Sequence, residues 1–176
     1  MTTDTIADLY RHMEWADAAV WKAVLASESA QTDGKLQEYL LHLHVVQRVF
    51  LLVWRGEPLG TTYPKFDDAK SLMLWARGYY SEALAHLASL GDGKLSEPMA
   101  LPWANMVEKQ LGRPPDVTTA GETALQVPLH TMYHRGQVNA RLKIVGGEPP
   151  LVDYIAWVWS GRPAPDWPSV ESSGDL

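Results

Sequence analysis

The sequence contains no cysteine. This absence excludes disulfide bonds, a cysteine nucleophile and every metal site built on thiolate ligands, so a bound metal ion must be held by imidazole, carboxylate or amide groups. The six histidines are therefore the side chains to examine as metal ligands. Positive charge is also scarce, with 15 lysines and arginines against 21 acidic residues and a formal net charge of −6. Because recognition of a phosphate backbone needs a clustered basic surface, we expect no nucleic-acid partner.

Long apolar runs are missing as well. The longest apolar stretches are far below the roughly 20 residues that cross a bilayer, and the N-terminus lacks the basic opening and apolar run of a secretory signal. We therefore expect a cytoplasmic protein without a membrane partner. Its 176 residues, of which 46% are hydrophobic, suit a single domain with a filled core, since domains typically run to about 100–200 residues.

Apolar residues recur at helical spacing in four long segments, and no convincing strand pair is visible. This pattern indicates an all-α protein, a four-helix bundle. Thr119 and Glu122 have the spacing of a capping box at the start of the last long helix. Pro128 lies inside that helix and should bend it just before His130. The four long helices are predicted over residues 5–27, 35–55, 67–90 and 119–145.

Proline interrupts the pattern between the third and fourth long helices. Residues 92–118 carry four prolines and follow no helical period, which predicts a long irregular connection with room for a short extended piece. A shorter apolar segment over residues 151–159 is expected to pack on the bundle. Residues 1–160 would thus form one domain. Three prolines and a pair of serines after that point predict a poorly ordered tail over residues 161–176.

Two histidines have the spacing of a metal chelate. His130 and His134 lie four residues apart on the predicted helix, which places them about 40° apart around its axis and one turn above the other. The alternative is a pair of surface histidines that share a face by chance. Their neighbours argue against it, because that face mixes apolar and polar residues as the wall of a site would. The neighbours within about 60° are Thr123, Val127, Gln137 and Arg141.

Two ligands rarely make a good site, so a third should come from another helix. The second helix offers His42 and His44, which point about 160° apart, so only one of them can face inward. His42 shares its stripe with valines and a tyrosine, whereas His44 shares its side with two arginines. We therefore predict His42 inside and His44 outside. On this helix alone, a core histidine bonded to a neighbour is a fair alternative for His42; with the other two histidines, a three-histidine site is favoured.

The other histidines and the charges of the first helix are given no role in the site. His12 and His86 lack partners at chelating spacing and are interpreted as structural or surface residues. Glu14 and Asp17 are interpreted as part of a solvated helical face, which is the usual place for charged side chains.

The residues that follow His134 receive separate predictions. Arg135 points about 100° away from it, which favours packing or an ion pair, and Gly136 is expected to permit close helix contact. Gln137 and Arg141 lie one and two turns further along the same stripe. They are candidates for orienting a ligand histidine or for binding a substrate carboxylate. For Arg141, a side chain that simply reaches solvent from the helix end is the alternative.

The segment over residues 130–137, His-Thr-Met-Tyr-His-Arg-Gly-Gln, resembles the His-x-x-x-His-Arg-Gly-Gln signature of the DinB/YfiT-like superfamily. The segment from His42 to Phe50 is similar to the first ligand motif of that family, in which a histidine precedes an aromatic residue by eight positions. Residues 9–17 resemble its tyrosine/tryptophan-alanine opening, and residues 147–154 resemble its ending. Together the matches cover most of residues 5–160.

This resemblance implies a four-helix bundle with a long crossover, a divalent metal bound by His42, His130 and His134, and frequently a homodimer. The chain departs from the family pattern at Gln47, where an acidic residue is common, and at Pro128 in the ligand helix. Three neutral imidazoles leave coordination positions open, as in a catalytic rather than a structural site, and both zinc and nickel suit them.

Two reactions fit such a site. Water on the metal can serve hydrolysis, because its pKa falls to about 7. A low-molecular-weight thiol bound as thiolate can instead attack an electrophile, which is the S-transferase chemistry of some members of the family. The cosubstrate would supply the thiol, so the absence of cysteine from the protein is compatible with this reaction. The alternative is a stress-associated protein that binds metal or a small ligand without turnover.

Overall fold

The structure is a computed structural model, and it describes residues 2–169. Four long helices dominate it, each within two residues of its predicted ends, and the predicted all-α class is confirmed. The sheet within residues 2–169 consists of one antiparallel pair of short strands, β1 (Pro98–Met99) and β2 (Thr118–Thr119). The helices are α1 (Thr3–Leu25), α2 (Glu28–Thr32), α3 (Gly34–Arg55), α4 (Ala69–Leu90), α5 (Glu108–Leu111), α6 (Ala120–Ile144) and α7 (Tyr154–Trp159).

The long helices pack so that each one contacts two others. Helix α1 lies against α4 and α6, and α3 lies against α6 and α4. The most extensive of these contacts joins α3 to α6. The helix that carries His42 and the helix that carries His130 and His134 are therefore direct neighbours.

Side-chain caps explain where α3 and α6 begin. Asp33 accepts a hydrogen bond from the Leu36 amide at 2.8 Å and so satisfies one free donor of the first turn of α3. At the start of α6 the predicted capping box is present. Glu122 Oε2 accepts from the Thr119 amide at 2.7 Å, and Thr119 Oγ1 accepts from the Glu122 amide at 3.2 Å. The helix then continues through Pro128.

The connection between α4 and α6 has little regular structure, as predicted. It contains two 3-10 turns, the four-residue helix α5, and strand β1, which supplies the extended piece. Met99 pairs with Thr118. Because the paired strands lead directly into α6, they fix the point from which that helix starts.

One side chain in the first part of the predicted tail packs against the helices. The Trp167 ring lies 5.7 Å from the ring of Tyr80, centre to centre, and its indole N–H donates to Glu14 at 3.1 Å. Burial of this large apolar ring offsets the entropy of ordering the segment around it. The prediction for residues 170–176 lies outside the described residues. Among the helices of residues 2–169, none is long and apolar enough to cross a membrane.

Gly136 does not have the role predicted for it. A methyl group added at its Cα would meet no atom within 4 Å, so no neighbouring helix approaches it closely. The tight glycine is Gly147, just after α6. Its amide donates to the Leu142 carbonyl at 2.9 Å in the turn that ends the helix. A Cβ there would lie 2.3 Å from Leu142 Cδ1.

Gly147→Ala is expected to lower the free energy of unfolding by about 1–3 kcal/mol, because the fully buried Leu142 side chain has little room to move away. Gly136→Ala is the matched control. It adds the same methyl group in open space inside a helix and should raise stability by about 0.5–1 kcal/mol. Urea denaturation followed by circular dichroism measures both, and equal stability of Gly147→Ala and the wild type would contradict the prediction.

Candidate metal centre

Three histidines from the two neighbouring helices converge on one point. One ring nitrogen from each of His42, His130 and His134 lies within 4.8 Å of the corresponding atoms of the other two. The ring centres of His130 and His134 are 4.3 Å apart, and the ring of His42 lies 4.6 Å from that of His134. This group could hold a metal ion. The structure thus brings together the three side chains predicted as ligands.

The environment keeps these imidazoles suited to metal binding. Burial lowers the pKa of His42, and the nearby His134 lowers it further. Burial also lowers the pKa of His130, again with a contribution from His134. A histidine must be neutral to bind a metal, and a lowered pKa extends the neutral form to more acidic solution.

One atom of the group lacks a hydrogen-bond partner among the described residues. His130 Nε2 is buried, and nothing in that part of the chain donates to it or accepts from it. An unsatisfied buried polar atom costs free energy, and such an atom in a native structure calls for an explanation such as a bound ion. The residues present therefore fit a metal ion.

Gln137 holds one of the imidazoles in place. Its Oε1 lies 2.8 Å from His134 Nδ1. An amide oxygen only accepts, so Nδ1 carries the proton and donates it, which leaves Nε2 with a free lone pair. A hydrogen bond of this kind fixes the tautomer and orientation of a ligand histidine. The contact matches the first of the two roles predicted for Gln137.

Arg141, the second candidate, binds a carboxylate of the protein itself. Its Nε and Nη2 atoms donate to the two carboxylate oxygens of Asp33 at 2.9 and 2.6 Å. The hydrogen bonds from Arg141 lower the pKa of Asp33 to about 2. Asp33 thus occupies the guanidinium of Arg141, and this ion pair joins the end of α6 to the start of α3. The structure thus shows an ion pair with Asp33 in place of the alternative, an arginine that simply reaches solvent.

A cavity opens beside the three histidines. It encloses about 360 Å³, and its walls come from α3, from α6 and from the loop that joins α3 to α4. The site therefore has space next to the imidazoles for a small molecule. Prominent lining residues are Glu38, Tyr39, His42, Tyr63, His134 and Gln137.

His44 does not point outward as predicted. Its side chain is 1% exposed, and the Trp21 indole N–H donates to its Nε2 at 2.9 Å. Its face of α3 is the buried one, shared with Leu40, Gln47 and Leu51 at spacings of four, three and seven residues. His42 lies on the flank of this face, toward α6. The face of α3 that carries His42, which the sequence predicts to face the interior, therefore lies at the edge of the buried face.

Asp17 is also placed differently from the prediction. It is 3% exposed, and Arg135 Nε donates to its Oδ1 at 2.7 Å, which confirms the ion pair predicted as one option for Arg135. The Tyr80 hydroxyl and the Gln47 amide donate to Oδ2. A signal was present in the sequence, because Asp17 falls on the stripe that places Met13 on the buried face of α1.

These contacts form one buried polar network. Trp21 donates to His44 Nε2, so the proton of this imidazole is on Nδ1, which donates to Gln47 Oε1 at 2.9 Å. Gln47 in turn donates to Asp17 at 3.1 Å and to Thr131 Oγ1 at 3.3 Å. The network joins α1, α3, α4 and α6. Gln47, where the family often has an acidic residue, belongs to this network and not to the group of three histidines.

The two remaining histidines have structural contacts, as predicted. One ring nitrogen of His12 lies 2.9 Å from the carbonyl oxygen of Val152. The ring of His86 stacks on Trp54 with centres 5.7 Å apart. Neither residue belongs to the group that could hold a metal.

No protein-family model matches the chain, and no solved structure matches it. The resemblance to the DinB/YfiT-like superfamily therefore rests on the sequence motifs, and the case for a metal centre rests on the convergence of the three histidines.

Proposed function

We propose that the protein is a four-helix bundle of the DinB/YfiT-like type and a metal-dependent enzyme that uses His42, His130 and His134 to hold one divalent ion. The observation that carries this proposal is the convergence of three imidazoles from two helices, with ligand atoms within 4.8 Å of one another. The unpartnered His130 Nε2 and the hydrogen bond that orients His134 support it.

The surroundings favour an enzyme over a structural metal site. A structural zinc site is closed by four protein ligands, whereas a catalytic site keeps a position open. Here a cavity of about 360 Å³ borders His42 and His134. When bound, zinc or nickel supplies Lewis acidity to a small thiol, as in an S-transferase, or to water, as in a hydrolase. Gln137 keeps His134 in the ligating tautomer, and the cavity beside it leaves room for the reacting molecule.

The metal content of the purified protein tests the proposal. Wild-type protein loaded with zinc or nickel and passed over a desalting column should retain one ion per chain by elemental analysis. His134→Ala should retain close to none, because two imidazoles rarely hold an ion against dilution. His86→Ala is the matched control, since it removes a histidine outside the group and should keep the metal. Equal metal content in wild type and His134→Ala would contradict the proposal.

Catalysis is tested separately on the metal-loaded protein. We expect metal-dependent consumption of a low-molecular-weight thiol with an electrophile, or hydrolysis of an activated ester or amide. Neither reaction should survive removal of the metal by a chelator. A metal-loaded protein inactive with both substrate classes would favour a binding protein without turnover.

A further inference from the structure

The described residues that line the cavity beside the three histidines include an acidic side chain but no lysine or arginine. Glu38 is the one acidic side chain among these described residues. Glu38 lies one helical turn before His42 on α3, so its carboxylate is on the same side of the helix. The nearest arginine on α6, Arg141, is already engaged with both oxygens of Asp33.

Two tyrosines line the same cavity as this carboxylate. Tyr39 follows Glu38 on α3, and Tyr63 comes from the loop after α3 with 60% of its surface exposed. Aromatic faces attract ammonium groups, and quaternary ammonium ligands are commonly recognised by clusters of such rings. A cavity lined by a carboxylate and two tyrosines is thus chemically suited to a cation.

The protein already places one ammonium group in this position. Lys35 Nζ lies 2.9 Å from Glu38 Oε2 and 4.7 Å from the centre of the Tyr39 ring. Both side chains of this ion pair are exposed, 47% for lysine and 66% for glutamate. Exposed pairs contribute little to stability. A ligand can therefore replace Lys35 at the carboxylate and the ring at small cost.

We propose that this cavity selects small thiols that carry an ammonium group, which Glu38, Tyr39 and Tyr63 bind while the sulfur reaches the three-histidine site. The inference rests on the proposed function, because it assumes that the metal-loaded site binds a thiol. Lys35 acts as an internal competitor for the same carboxylate.

Two thiols of nearly identical shape test the proposal. Thiocholine carries a quaternary ammonium that cannot itself ligate a metal, and 3,3-dimethylbutane-1-thiol is its neutral carbon analogue. Binding of each to cobalt-substituted protein is followed by the absorption of the sulfur-to-cobalt charge transfer. The quaternary ammonium also makes the thiol more acidic, so the ratio of the two dissociation constants is compared between wild type and variants, where this intrinsic difference cancels. The ratio should favour thiocholine about fivefold more in the wild type than in a variant without the Glu38 charge, as expected for one exposed charge contact with one cation–π contact.

Two variants should move this ratio in opposite directions. Glu38→Gln should reduce the preference for thiocholine about fivefold relative to the wild type, and Lys35→Met should increase it, because the internal ammonium no longer competes. Glu57→Gln removes the same charge beyond the end of α3 and should leave the ratio unchanged.

The outcomes separate this inference from the proposed function. An unchanged ratio in Glu38→Gln would overturn the ammonium preference and leave the thiol site intact. Failure of both thiols to bind the cobalt protein would overturn the thiol reaction and this inference together. Cobalt content, measured in the same samples, shows whether each protein still binds the metal.

Discussion

Asp17→Ala is expected to lower the free energy of unfolding by about 3–5 kcal/mol, which is the usual cost of breaking a buried ion pair by removing one partner. The side chains of Arg135 and Asp17 are 4% and 3% exposed, so the guanidinium would be left buried without its carboxylate. The Tyr80 hydroxyl and the Gln47 amide would lose the same acceptor. Chemical denaturation followed by circular dichroism measures the change.

Asp8→Ala is the control for this prediction. Asp8 pairs with Arg11 at 3.0 Å on the surface, with side-chain exposures of 32% and 55%, and an exposed pair contributes at most about 1 kcal/mol. A loss from Asp17→Ala no larger than that from Asp8→Ala would contradict the importance of the buried network.

The effect of Asp17→Ala should depend on pH in a defined direction. Burial alone would raise the pKa of the Asp17 carboxyl, but Arg135, together with His44 and the Tyr80 hydroxyl, outweighs burial and holds this pKa below its ordinary value. The charged form is therefore favoured by folding, so its stabilisation is complete above the unfolded pKa of about 3.9 and is lost as the pH falls through the folded value. The difference between wild type and variant should be constant near neutrality and shrink in strong acid.

Metal is expected to raise the midpoint of thermal unfolding by about 5–10 °C at a free concentration of about 100 times its dissociation constant. Binding to the folded state alone at this concentration contributes about 2.7 kcal/mol, and each kcal/mol shifts the midpoint by about 2–4 °C in a chain of this size. The reason is topological, since His42 on α3 meets His130 and His134 on α6 only in the folded chain. Differential scanning calorimetry with and without a chelator measures the shift.

His42→Ala tests whether this stabilisation comes from the proposed ligands. The variant should show the same midpoint with metal as without it, whereas His86→Ala should respond like the wild type. A full metal-induced shift in His42→Ala would show that the ion binds elsewhere.

Local patterns account for what could be predicted. The four long helices follow from apolar periodicity, and the start of α6 follows from Thr119 and Glu122, which lie close together in the sequence. The pairing of His130 with His134 is equally local, because a separation of four residues determines their relative direction on a helix. Such features need no knowledge of which helices touch.

The errors concern contacts between helices. Hydrophobic periodicity shows that α3 has a buried face but does not show which helices cover each part of it, so the sequence predicts His44 outside although its side chain is buried. His42 lies in the three-histidine group, as predicted. The sequence predicts a solvated Asp17 because charged helical faces usually are solvated, and its partner Arg135 lies 118 residues away along the chain. Spacing along the chain carries no information about a partner at that distance.

The way the helices pack also affects how fast the chain folds. The main contacts join segments that are remote in sequence, such as Asp17 with Tyr80 and Gln47 with Thr131, which are 63 and 84 residues apart. Closing such large loops costs chain entropy before any contact repays it, and folding rates fall as the mean sequence separation of contacts rises. This protein should therefore fold more slowly than helical proteins whose neighbouring helices are joined by short turns.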